Sequence, residues 1–314
     1  MVLIKNKRGI FFTTIVIIIL ILFITTFSFY SENKERKSTQ KRIETLNNFI
    51  FSIEEDIPRQ LYASGFRIIF LLEKNIIETG SYITNLNSAA QELFFNGTLY
   101  GGINPDIQAI MEGAKFFDIN SSLQSKAAKI NAEIEIINPS MSLRQIGPWN
   151  VKITLSSTTI IKDKSNLVSW NKTQNISALI PIENFEDPLY LINTNGLVTN
   201  KITKTPYTTF VQGNDVSNLY THSQNSYYTN STLAPSFLDR LEGKTSASPH
   251  GIESLVNLAK LSLQGITIQD KSVVDYIYFS SQNPAACNVQ PSGMPAWFKL
   301  DNSHLTTYQV SCAP

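Results

Sequence analysis

Residues 5–37 read KNKRGIFFTTIVIIILILFITTFSFYSENKERK. Three basic residues and a glycine lead into an uninterrupted apolar run, and charge returns after it. From Ile10 to Tyr30 no residue is charged. At 1.5 Å per residue, those positions make a helix about 30 Å long, which matches the hydrocarbon core of a bilayer. A cleaved secretory signal has a shorter apolar core followed by small residues. This run ends in Phe27-Ser28-Phe29-Tyr30, without an A-x-A pattern, and no cysteine follows for lipid attachment. The sequence therefore predicts a transmembrane helix over 10–30, with the lipid bilayer as its first partner. Flanking charge does not set its direction. Lys5, Lys7 and Arg8 precede the run, and Lys34, Arg36, Lys37, Lys41 and Arg42 follow it. Counting Lys and Arg alone puts the larger part of the chain inside, yet long domains cross largely regardless of such charge.

Beyond the run, Ile43, Leu46, Ile50, Ile53 and Ile57 recur at intervals of 3, 4, 3 and 4. That spacing is one apolar stripe on a helix. It predicts an amphipathic stalk over 31–57 that continues the membrane helix and ends or kinks at Pro58. A juxtamembrane coiled coil needs the same stripe.

Lys7-Arg8-Gly9, set directly before the apolar run, resembles the leader of type IV pilin-like proteins, archaeal ones in particular. The resemblance covers roughly the first sixty residues, a share set by a basic-glycine pair and the two-part helix behind it. It implies a 1–9 leader cut by a prepilin peptidase between Gly9 and Ile10. It also implies retention of the apolar helix as a filament spine, other pilin-like subunits as partners through that helix, and an extracellular head. The commonest bacterial pattern has Glu five residues after the cut, where Thr14 stands here.

Composition bounds the remainder. Charged residues are 16% of the 314, low for a globular chain, and net charge is +1. No basic excess points to nucleic acid. Uncharged polar residues fill the deficit, as suits a cell-surface protein or an AT-rich genome. The sequons at Asn96, Asn120, Asn171, Asn175 and Asn230 are about as many as chance supplies in so Asn- and Ser/Thr-rich a chain.

The expected fold class is α+β. Residues 58–127 form the helical part of a head, with a helix over 61–83 stopped at Gly80, a second over 88–95 and a third over 106–117. The β-rich part, 128–213, is an antiparallel sheet carried by NAEIEII, WNVKITL and NISALIPI, with turns at Asn138-Pro139, Gly147-Pro148 and 163–166. Trp149 and Trp170 are expected in its core. The last part, 214–314, opens with an exposed loop over 214–235. A helical stripe of Ile252, Val256, Ala259 and Leu263 follows, and then a buried strand over 272–279. Cys287 and Cys312 are expected to form a disulfide if this part is exported.

Chemistry is sparse. Glu183, Glu186 and Asp187 are the acids that hydrolysis or calcium binding could draw on, although Asp187-Pro188 is also a common turn start. Gly251-Ile252-Glu253-Ser254-Leu255 lacks the second glycine of a nucleophile elbow. His222, His250 and His304 have no metal-ligand spacing, and no phosphate-cradling glycine loop is present. Neither a catalytic residue, a metal nor a cofactor is therefore expected. The functions that remain are a pilin-like structural subunit, an unprocessed single-pass surface binding protein, and, least favoured, an anchored surface hydrolase.

Overall fold

The computed structural model describes the chain from residue 7 and its side chains from residue 11. The first six residues, Lys5 among them, lie outside the described residues. The chain is mixed helix and antiparallel sheet. It opens with α1 (Lys7–Thr79), 73 residues long. Helices α2 (Leu86–Asn96), α3 (Pro105–Met111) and α4 (Phe116–Lys129) follow, and then strands β1 (Ala132–Gly147), β2 (Asn150–Asp163) and β3 (Ser169–Pro181) in the order β1-β2-β3. The remainder alternates short elements: α5 (Pro188–Asn193), α6 (Ser217–Gln224), β4 (Tyr228–Asn230), α7 (Phe237–Leu241), β5 (Ile252–Ser254), α8 (Leu258–Leu263), α9 (Asp275–Tyr278), β6 (Ala286–Gln290), β7 (Lys299–Asp301) and β8 (Ser311–Cys312). Strand β4 pairs with β5, and β6 pairs with both β7 and β8, all antiparallel.

Two compact units divide the chain, and α1 and the long strands pass from one into the other. The first comprises the described residues up to Glu55, Leu123–Glu135 and Thr159–Lys172. Among the described residues one helix, α1, is long and apolar enough to cross a membrane, and its most apolar stretch is not buried. Thr25 and Thr26 return their hydroxyls to backbone carbonyls one turn back, within 3.0 Å. Farther along, Arg42 donates to buried Asp163 and to the Asn131 carbonyl at 2.7 Å. Asp163 heads the β2–β3 turn predicted at 163–166, its carboxylate accepting from the Ser165 N–H at 3.0 Å.

The second unit comprises Asp56–Ser122, Ile136–Thr158 and Thr173–Pro314. Gly65 of α1 lies so close to the sheet that a Cβ there would stand 3.2 Å from Ile153 and 2.3 Å from Ile180. Arg67 donates to the carbonyls of Ile110 at 3.0 Å and Glu112 at 2.6 Å, satisfying the last turn of α3. A core cluster joins Leu189, Leu219, Leu255, Val273, Phe298 and Tyr308, among others.

Several expectations are corrected. Pro58 does not end the stalk: α1 runs through it to Thr79, so 61–83 is no separate helix, although Gly80 (φ 62) does close it. Ile57 and Leu61, either side of that turn, are buried, and tertiary burial outweighs the local cost of proline. The helix expected at 106–117 is two helices, α3 and α4, separated at Gly113 (φ 74). Asn138-Pro139 is no turn: β1 continues past it, with Asn138 in the left-handed region (φ 50). Trp149 and Trp170 are half-buried, beneath the ammonium groups of Lys204 at 5.5 Å and Lys172 at 5.9 Å.

In the last third, 214–235 carries α6 and β4, with Leu219 and Tyr228 fully buried. The stripe from Ile252 is strand β5 and helix α8 in succession, capped by Asn257, and Leu263 is 85% exposed. Residues 272–278 are buried as expected, but Asp275–Tyr278 form a turn of helix, α9, rather than a strand. Cys287 and Cys312 are joined by a disulfide, their Cα atoms 5.5 Å apart.

Candidate functional site

Toward its C-terminal end, α1 presents Phe66, Phe70, Glu73, Lys74 and Ile77. The intervals of 4, 3, 1 and 3 keep these side chains on neighbouring faces of a helix. After β3 the chain turns at Glu183 and Asn184 (φ 72) and then runs extended over 185–187. The backbone here is fixed by hydrogen bonds from Asn184 to Ile202, from Ile202 to Phe185 and from Asp187 to Asn200, all within 3.0 Å. Side chains in extended chain alternate faces, and this segment uses the alternation. Phe185 and Asp187 are buried, while Glu183 is exposed and Glu186 is half-buried.

The α1 face and this segment enclose a cleft of about 400 Å³. Its walls are Phe66, Phe70, Ile77 and Phe185, and Glu73, Glu183, Glu186, Lys74 and Lys201 bring charge to it. Phe66 and Phe185 meet at 5.2 Å between ring centroids. A recess of about 350 Å³, which includes Leu191 and Ile192, shares Ile77 and Glu186.

Glu73 is the unusual member. It is only 5% exposed, and its Oε1 has no hydrogen-bond partner. Burial pushes its carboxyl up to about 9, the backbone N–H of Glu186 pulls it part of the way back, and the charges of Glu186 and Asp187 push it up again. At neutral pH Glu73 is therefore a protonated acid. Glu186 is also raised by burial, against the charges of Lys201 and Lys260, and its Oε2 is buried without a partner.

Asp187 points the other way, into a closed polar cluster. Arg240, fully buried, donates to Asp187 at 2.6 Å, to Asp275 at 2.9 Å and to the Ile252 carbonyl. The Tyr228 hydroxyl donates to Asp187 at 2.7 Å and the Ser254 hydroxyl to Asp275 at 2.8 Å. Burial alone would lower Arg240, but Asp187 and Asp275 more than reverse it and hold the guanidinium charged. The cluster ties α5, α7, β5 and α9 together. Ser254 is bound to Asp275 and to the Tyr190 hydroxyl at 3.0 Å, and no histidine is among these partners to activate it.

A second buried cluster surrounds His304. Its Nδ1 is 2.8 Å from Asp301, and its Nε2 is 3.0 Å from the Tyr276 hydroxyl and 3.3 Å from Glu253. Burial would lower His304, but Asp301 and Glu253 more than offset it and raise it to about 9.

Of the residues singled out from sequence, Glu183 and Glu186 line the cleft and Asp187 leaves it. Gly9 and Ile10 lie within α1, and their side chains lie outside the described residues. His222 is buried against Phe210 and Tyr308, and desolvation lowers it to about 3. Among the described residues no group of three or more His, Cys, Asp or Glu side chains could hold a metal ion. Glu73, Arg240, Asp275 and the His304–Asp301 pair were missed. Glu73 left one trace, a lone acid inside the apolar stretch FRIIFLLEKNII.

No family model, no curated protein and no solved structure matches this chain.

Proposed function

We propose that the chain is a pilin-like structural subunit, anchored in the cell membrane by residues 10–30 and carrying an extracellular head for assembly or adhesion. One observation carries this reading. Every residue of the apolar run from Phe11 to Tyr30 is exposed, yet the run belongs to the same helix whose later turns pack into the head. A spine that is lipid-facing before assembly and helix-facing after it needs that division of labour. The leader Lys7-Arg8-Gly9 and the disulfide, at home in an oxidising compartment, support an exported head.

Mass spectrometry of the N-terminus of the mature protein, taken from its native membrane, tests the reading. A chain beginning at Ile10 is expected. An intact leader would instead identify an unprocessed single-pass binding protein. The cleft beside Glu73 favours that second reading, since a purely structural head has no need of a buried acid without a partner.

A further inference from the structure

The cleft holds two oxygens that a folded protein does not leave idle without cause. Glu73 Oε1 and Glu186 Oε2 are both buried and unpartnered, and an unsatisfied buried acceptor carries a desolvation penalty. Around them the walls are aromatic and aliphatic, and Phe66 and Phe70 are each 44% exposed. An occupant must therefore bring donors or positive charge to the carboxyl end and apolar surface to the rest.

The charges present select its sign. Glu73, Glu183 and Glu186 outnumber Lys74 and Lys201. Lys74 is already engaged, at 3.0 Å by Asp106 and 3.3 Å by Glu78. An anion would meet an acidic site with one uncommitted ammonium. A hard metal cation needs about six oxygen ligands converging on one point, and among the described residues no group of three or more His, Cys, Asp or Glu side chains converges to hold one. A cation with an organic body satisfies both halves, because aromatic faces attract it as carboxylates do.

We propose that this cleft binds an organic ammonium ion with an apolar body, held by the carboxylates of Glu73 and Glu186 and by the rings of Phe66, Phe70 and Phe185. The inference does not depend on whether the leader is cleaved. On binding, the O–H bond of the Glu73 carboxyl breaks and its proton passes to bulk water. The resulting carboxylate pairs with the ammonium, which keeps all its own bonds, so charge balances. Glu186 faces this carboxyl, the charge of Asp187 acts on it from behind the cleft wall, Glu183, Lys74 and Lys201 also line the cleft, and Lys260 acts on Glu186.

The test is calorimetric titration of the full chain in detergent micelles with benzyltrimethylammonium, whose charge does not vary with pH, and with 2-phenylethanol as a neutral control. Paired buffers of different ionisation enthalpy count the protons. The cation is expected to bind saturably with release of up to about one proton, and more tightly as pH rises toward about 9. Glu73→Gln, which keeps the shape and removes the charge, is expected to weaken binding about tenfold or more and to abolish the proton release. Phe70→Ala is expected to weaken binding without changing the proton count. The proposal is overturned if the cation does not saturate, if Glu73→Gln binds it equally, or if 2-phenylethanol binds as well as the cation.

Discussion

At the scale of single residues, the pH dependence of the head follows from two buried groups whose effects share a sign. Glu73 goes from 4.5 when exposed to about 9 when folded. Between those values folding takes up a proton, so stability falls as pH rises. His304 goes from 6.5 to about 9. Its contribution is complete below the lower value and is lost as pH rises through the upper one. Thermal melts are therefore expected to drop steadily from about pH 6 to about pH 9. Glu73→Gln is expected to flatten the curve and to stabilise the head by roughly 3 kcal/mol near neutral pH, an order-of-magnitude figure from the shift. Parallel curves for the two proteins would mean that Glu73 is ionised in the folded head. Little of this could be read from the chain, because Glu73 owes its state chiefly to burial in the folded head, and His304 is raised not only by nearby Asp301 but by Glu253, far away in sequence.

At the scale of elements, what was legible was whatever a long periodic pattern decides. The apolar run settles its type by length, and the stripe through Ile57 and the three long strands by their periods. Short elements were not legible in this way. Ile252–Ser254 and Asp275–Tyr278 are too short for a period, and their form is set by partners. Strand β5 pairs with β4, Tyr228 opposite Ser254, and α9 places Asp275 against Arg240. Pro58 is the opposite case, a strong local signal overridden by burial. Proline there removes one helical hydrogen bond and crowds the carbonyl four residues back. Pro58→Ala is therefore expected to stabilise the head by about 2 kcal/mol, less than the full propensity difference because proline also restricts the unfolded chain. Urea denaturation measures this, and a loss of stability would show that the proline geometry is itself needed.

At the scale of the whole molecule, the apolar run and the core that stabilises the head are drawn from different parts of the chain. Buried apolar side chains run from Leu46 to Tyr308, one cluster of them between Leu189 and Tyr308, and none lies in residues 11–30. A change confined to the run should therefore alter membrane retention and leave the folding of the head alone. Ile18 lies near the middle of the run and is 53% exposed. Arginine at the centre of a membrane helix is disfavoured by about 3 kcal/mol on insertion scales. Full-length protein is expected to stay with the membrane pellet through alkaline carbonate washing, while Ile18→Arg moves a substantial fraction into the supernatant with an unchanged thermal transition of the head. Equal retention of both proteins would take the run out of the bilayer interior. A lowered head transition would instead mean that the run packs on protein. The anchored reading needs retention to fall while the transition holds, because only lipid contact links Ile18 to the first quantity and not to the second.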